Sequence, residues 1–142
     1  MVDYRLNETG ENNCEVEWIG KKLKLNLVNL RKMYGDMEFV SSSITTQQCK
    51  QFFADFKKAL KNDLGNEYNV NVKLGHFEVY GFVNKIGSEK FVYFSVEDLR
   101  ENGTEFDNVL YRSAENEKDF TGGHNQFCRL EELGLRIKKM FD

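Results

Sequence analysis

The sequence predicts an α+β fold, a mainly antiparallel sheet covered by one long amphipathic helix and a C-terminal helix. Three observations predict it. Cys49, Phe52, Phe53, Phe56, Leu60 and Leu64 recur at helical spacing. Between them and the C-terminus, short runs of alternating apolar residues are separated by turn residues. Strands linked that way pair antiparallel. Leu130, Leu133, Ile137, Met140 and Phe141 then form a second helical repeat. Helices at about 46–64 and 129–141 must cover an apolar face of the sheet.

Each element has its own cue. Residues 7–14 are polar and turn-rich, so 1–14 reads as a loose arm on a single domain spanning 1–142. Val16 and Trp18, then Leu23, Leu25 and Leu27, alternate with polar neighbours around Gly20-Lys21, which suggests a hairpin. The second run also fits a short helix through Leu27, Leu30 and Met33 that stops at Gly35. Periodicity alone leaves strand and helix open over 22–34. Residues 37–42 read as a short strand.

The long helix carries the clearest signals. Thr45 is an N-cap with Gln48 three residues on, Ile44 and Cys49 hold staple positions, and Gly65 supplies the stop. Val70, Val72 and Leu74, then Phe77, Val79 and Gly81, form one strand bent at Gly75-His76 or two short ones. Gly87-Ser88 is a two-residue hairpin turn. Residues 90–94 are apolar on both faces and read as a central strand. Ser95 caps a short helix, with Asp98 at its third position, Phe94 and Leu99 as staple, and Gly103 as stop. A strand at 109–112 and a polar connection at 113–127 lead to the terminal helix. Glu131 and Glu132 in its first turn and Lys138 and Lys139 in its last complement the helix dipole.

Composition narrows the function classes. The chain has 142 residues, 40% apolar and 30% charged, as in one ordinary globular domain. A net charge of −3 is poor for nucleic acid, which needs Lys and Arg against its phosphates, and suits a basic partner. Cys14, Cys49 and Cys128 form no Cys-x-x-Cys, and His76 and His124 are the only histidines. No metal or cofactor is expected, and the thiols fit a reduced, cytoplasmic protein. No apolar run approaches the roughly 18 residues of a membrane span, and the N-terminus lacks signal-peptide features. Asn7-Glu8-Thr9 and Asn102-Gly103-Thr104 match the glycosylation pattern by chance. Proline is absent, and Asn, Lys, Phe and Tyr, which have AT-rich codons, are plentiful, a bias common in phage, mobile elements and low-GC bacteria.

Two segments invite a functional reading. The Phe-Val-x-Phe run from Phe91 to Phe94 resembles the end of the signature strand of the RNA recognition motif. The element order over 37–112 also resembles that fold: strand, helix, two strands, helix, strand. The resemblance implies single-stranded nucleic acid stacked on exposed Phe91 and Tyr93. Gly87-Ser88-Glu89-Lys90 stands where the motif has Gly-aromatic-Gly, and a buried central strand explains the run better. The other segment is 113–127, long for a connection in a compact domain. Lys118, Asp119, Thr121, Gly122, Gly123, His124 and Asn125, flanked by Arg112 and Arg129, form a candidate partner or anion site beside a helix start. It is no P-loop, and turn chemistry explains every residue there except the length.

No catalytic constellation is present. Asp119 and His124 are not fixed in geometry by a glycine loop, there is no Gly-x-Ser-x-Gly elbow, and Cys128 has no evident base. The expectation is a small non-enzymatic binding protein of the inhibitor or immunity type, from a phage, mobile element or bacterium. Its expected partner is another protein; a second copy of the chain also fits. The alternatives are a nucleotide or small-anion domain at Gly122-Gly123 and a single-stranded nucleic-acid domain.

Overall fold

The structure is a computed structural model that describes residues 6–8, 14–18, 21–35, 46–99 and 104–142. Its chain order is β1 (Leu6–Glu8), β2 (Cys14–Trp18), β3 (Lys21–Lys24), α1 (Leu27–Gly35), α2 (Thr46–Leu64), β4 (Tyr68–Leu74), β5 (Val79–Lys85), β6 (Phe91–Val96), β7 (Val109–Ala114), β8 (Gln126–Cys128) and α3 (Leu133–Met140). One-turn 3-10 segments stand at Thr104–Asp107 and Leu130–Glu132. The main sheet runs β4-β5-β6-β7-β8, every neighbour pair antiparallel, so the predicted α+β class holds.

The long helix falls where its spacing predicts. Cys49, Phe52, Phe56, Leu60 and Leu64 are buried along one stripe of α2. They meet Leu27, Leu30 and Met33 of α1, Ile137 of α3 and the inward valines of the sheet in one core. Phe52 lies between Phe56 and Phe106, ring centroids 5.8 and 5.4 Å away. Such rings bury large areas and dominate core energetics. The terminal helix starts with the 3-10 turn, where the Arg129 N–H donates to Glu132 Oε1 at 3.1 Å.

Several local expectations change. Leu6–Glu8, inside the segment read as an arm, pairs antiparallel with β2, and β2 pairs with β3 as the predicted hairpin. The open question over 22–34 resolves as strand, then helix. Asn26 Oδ1 accepts the Asn29 N–H at 2.8 Å, an N-cap that ends β3 and starts α1. The run around Gly75-His76 is two strands, not one bent strand; the Gly75 N–H donates to Glu78 O at 2.9 Å across the turn. The Gly87-Ser88 turn is a longer loop, 86–90, closed by the Asn84 amide donating to Ser88 O and Lys90 O.

Ser95 caps no helix. It is buried within β6, between Tyr80 and Leu110 on the flanking strands. Phe94 and Val96 continue the inward alternation, and ladder bonds to two neighbours outweigh a one-turn helix with its costly nucleus. The implied helix of the RNA-recognition resemblance therefore does not follow Ser95, and β6 pairs directly with β7. The polar connection shortens to 115–125, because Ser113 and Ala114 belong to β7 and Gln126 and Phe127 to β8. The expected strand at 37–42, the Thr45 cap with its Ile44 staple, and the Gly103 stop lie outside the described residues. Among the described residues no helix is long and apolar enough to cross a membrane.

Candidate functional site

Strand alternation gives the main sheet a second face. Val79 and Val83 of β5, Val92 and Phe94 of β6, and Val109 and Tyr111 of β7 join the helix-side core. Successive side chains of a strand point to opposite faces. Tyr80 and Phe82, Tyr93 and Ser95, and Leu110 and Arg112 therefore line the face turned away from the helices. Register arranges them in two rows. Asn71, Phe82, Tyr93 and Arg112 are successive cross-strand partners, and so are Lys73, Tyr80, Ser95, Leu110 and Phe127.

The 115–125 connection straps this face. Glu117 accepts a 3.4 Å bond from the Asn71 amide, so the strap reaches from β7 to β4. Phe120 meets Tyr80, Phe82 and Tyr93 edge-on, with centroids 6.2, 5.4 and 6.0 Å away. Phe82 is buried beneath it, while Phe120 itself stays 50% exposed. Beyond it on β8, Phe127 is 56% exposed.

Arg112 anchors the strap. Its side chain is 2% exposed, and its guanidinium lies 4.6 Å from the Tyr93 ring centroid. It donates to Asp119 O at 2.7 Å and Ser113 O at 3.1 Å. The Asp119 carboxylate accepts the Glu115 N–H at 3.0 Å and the Gly122 N–H at 2.8 Å. Those two backbone bonds, with weaker help from Thr121 and Arg112, hold its pKa below the ordinary 3.8. Gly123 has φ 77°, and a Cβ there would come within 2.7 Å of Ser113 O. The glycine pair lets the strap close against β7 of its own chain.

The predicted candidates thus divide. Arg112, Asp119, Gly122 and Gly123 come together, as partners of one another. Lys118, Thr121, His124, Asn125 and Arg129 are exposed around them. The Gly122 amide that an external anion would need is held by the Asp119 carboxylate. A cavity of about 350 Å³ beside it is lined by Glu115 and Asp119, carboxylates that disfavour an anion. The lowered pKa of Asp119 makes its carboxylate a weak base. Burial pushes the Cys128 thiol up to about 11, far from the range of an activated nucleophile. Among the described residues no group of three or more His, Cys, Asp or Glu is placed to hold a metal.

A second groove, about 460 Å³, opens on the same face between Glu78, Tyr80, Tyr93, Ser95, Glu97 and Phe120. Most of these residues belong to no motif in the sequence. Tyr80 and Phe82 alternate with the apolar set Val79, Gly81 and Val83, which was the available signal for a second apolar face. The strand read over 90–94 as central and buried is central, and its burial is partial: Phe91 and Tyr93 are half-buried. Burial raises the Tyr93 pKa, and the Glu97 charge adds to the rise. No protein-family model matches this chain, and neither a curated protein nor a solved structure matches it.

Proposed function

We propose that this chain is a small non-enzymatic binding domain that engages another protein through the strapped face of its sheet, in the manner of an inhibitor or immunity protein. The observation that carries the reading is the aromatic cluster there: Tyr80, Phe82 and Tyr93 under a strap residue, Phe120, that remains half exposed. Phe127 extends the apolar surface along the next row. Aromatic side chains anchor interfaces, and a contiguous exposed apolar patch marks an interaction site more often than chance. A nucleic-acid platform would use the same rings, but Glu78, Glu97, Glu115 and Glu117 repel phosphates.

The test is capture from an extract of the native host by the immobilised chain. A protein partner is expected that Phe120→Ser and Phe127→Ser release. Leu135→Ser, at an exposed apolar position of α3, retains it. Absence of any protein partner, or a partner indifferent to both phenylalanines, overturns the proposal. Salt-sensitive retention of single-stranded DNA or RNA instead selects the nucleic-acid reading.

A further inference from the structure

The groove between β5 and β6 differs from the rest of the strapped face in its charge. Beyond the paired residues Val79 and Val96, Glu78 and Glu97 continue the two strands outward. Both line the groove together with Tyr80, Tyr93 and Phe120. Among the described residues neither glutamate is ion-paired. Ser95 Oγ donates to Glu97 Oε1 at 3.4 Å. Lys73 is the basic residue of the row that contains Tyr80, and it does not line the groove.

We propose that this groove receives an arginine side chain of the partner protein. The proposal rests on the protein-binding reading above and names the chemistry at its centre. Ring faces carry negative potential and attract cations, and a planar guanidinium also stacks on them. Two carboxylates at one rim supply acceptors for a guanidinium's outward N–H groups, in the fork geometry that an ammonium lacks. The fold already makes this kind of contact elsewhere, with Arg112 over Tyr93 and Arg31 over Phe106. The Arg112 guanidinium is buried and tied to Asp119 O, so it does not neutralise Glu78 or Glu97 through an ion pair. Charge complementarity therefore selects a cation, and the rings favour a flat one.

The experiment is a two-dimensional ¹H–¹⁵N NMR titration of the full chain with acetyl-Gly-Arg-Gly-amide. Parallel titrations use the lysine and citrulline tripeptides. The arginine peptide is expected to shift saturably the amides of residues 78–80 and 93–97. Citrulline, isosteric and uncharged, leaves them unmoved, and lysine binds at least threefold more weakly. The double variant Glu78→Gln/Glu97→Gln weakens arginine binding about tenfold, the scale of two partly screened ion pairs. Tyr80→Leu weakens it about threefold while leaving the fold's amide pattern intact. Equal binding of citrulline, preferred binding of lysine, shifts mapping elsewhere, or indifference to the glutamine variants each overturns the arginine assignment. Partner capture separates the two proposals. A partner that needs Phe120 and Phe127 but ignores the glutamine variants sustains the binding face and refutes the arginine groove.

Discussion

Removing the Arg112 guanidinium tests whether the strap is an anchored element. Arg112→Met keeps the apolar stem and deletes the charge. Two hydrogen bonds from a charged donor disappear, at 2.7 Å to Asp119 O and 3.1 Å to Ser113 O. At the low end of the range for charged donors they contribute about 1.5 kcal/mol each. The contact over Tyr93, 4.6 Å from its centroid, adds about 1 kcal/mol. That sum of about 4 kcal/mol falls within the range of about 3–5 kcal/mol for removing one partner of a buried charged contact, whose low end is taken for this site, 2% exposed. A loss of about 3 kcal/mol follows. With a urea slope of about 2 kcal/mol/M, the unfolding midpoint falls by about 1.5 M. Tryptic cleavage after Lys118, an exposed strap residue, accelerates in native buffer. Combining the variant with Tyr93→Leu isolates the ring contact, with an expected coupling of about 1 kcal/mol. A midpoint shift below about 0.3 M at unchanged slope, together with unchanged cleavage, refutes the anchoring role.

Three further outcomes follow from the same geometry. The pKa of Asp119 is depressed, chiefly by the Glu115 and Gly122 amides, so its contribution is present above the ordinary 3.8 and is lost as pH falls through the lower folded value. Protection of the Gly122 amide, judged by its exchange rate relative to the intrinsic rate at each pH, should therefore fall on acidification through that window, and Asp119→Asn should remove the acid-dependent part of the change. Gly81 sits between Val72 and Phe94 on the neighbouring strands, and a Cβ there would collide with the Asn71 carbonyl. Gly81→Ala is expected to cost about 2–3 kcal/mol, read as a lowered thermal midpoint; a neutral outcome means the β4–β5 backbone spacing is wrong. Cys49 and Cys128 are both buried, and the Cys128 pKa is near 11. Iodoacetamide at pH 8 should leave both unmodified in the native state, by peptide mapping, and label both in denaturant.

The sequence by itself determined the elements whose cues are local. The α2 stripe from Cys49 to Leu64 needs only helical spacing and a stop at Gly65, and it stands where it was read. Likewise the antiparallel character of the sheet follows from short strands joined by short turns. Ser95 shows where local cues fail. Its capping pattern was sound, but the ladder with Tyr80 on one side and Leu110 on the other is a non-local reward that no window of sequence displays. The candidate site divides in the same way. Length and glycines mark 113–127 as unusual, and the structure brings Arg112, Asp119, Gly122 and Gly123 together there. Only register decided their partners: Tyr93 is opposite Arg112, and Phe82 opposite Tyr93, because three strands align at those residues. Register ties Arg112, a candidate anion ligand, to the strap of its own chain, and leaves Tyr93, read as core, half-buried beneath Phe120. Side-chain type sets what a residue is able to bind; the strand beside it decides whether that capacity is used within the fold or left for a partner.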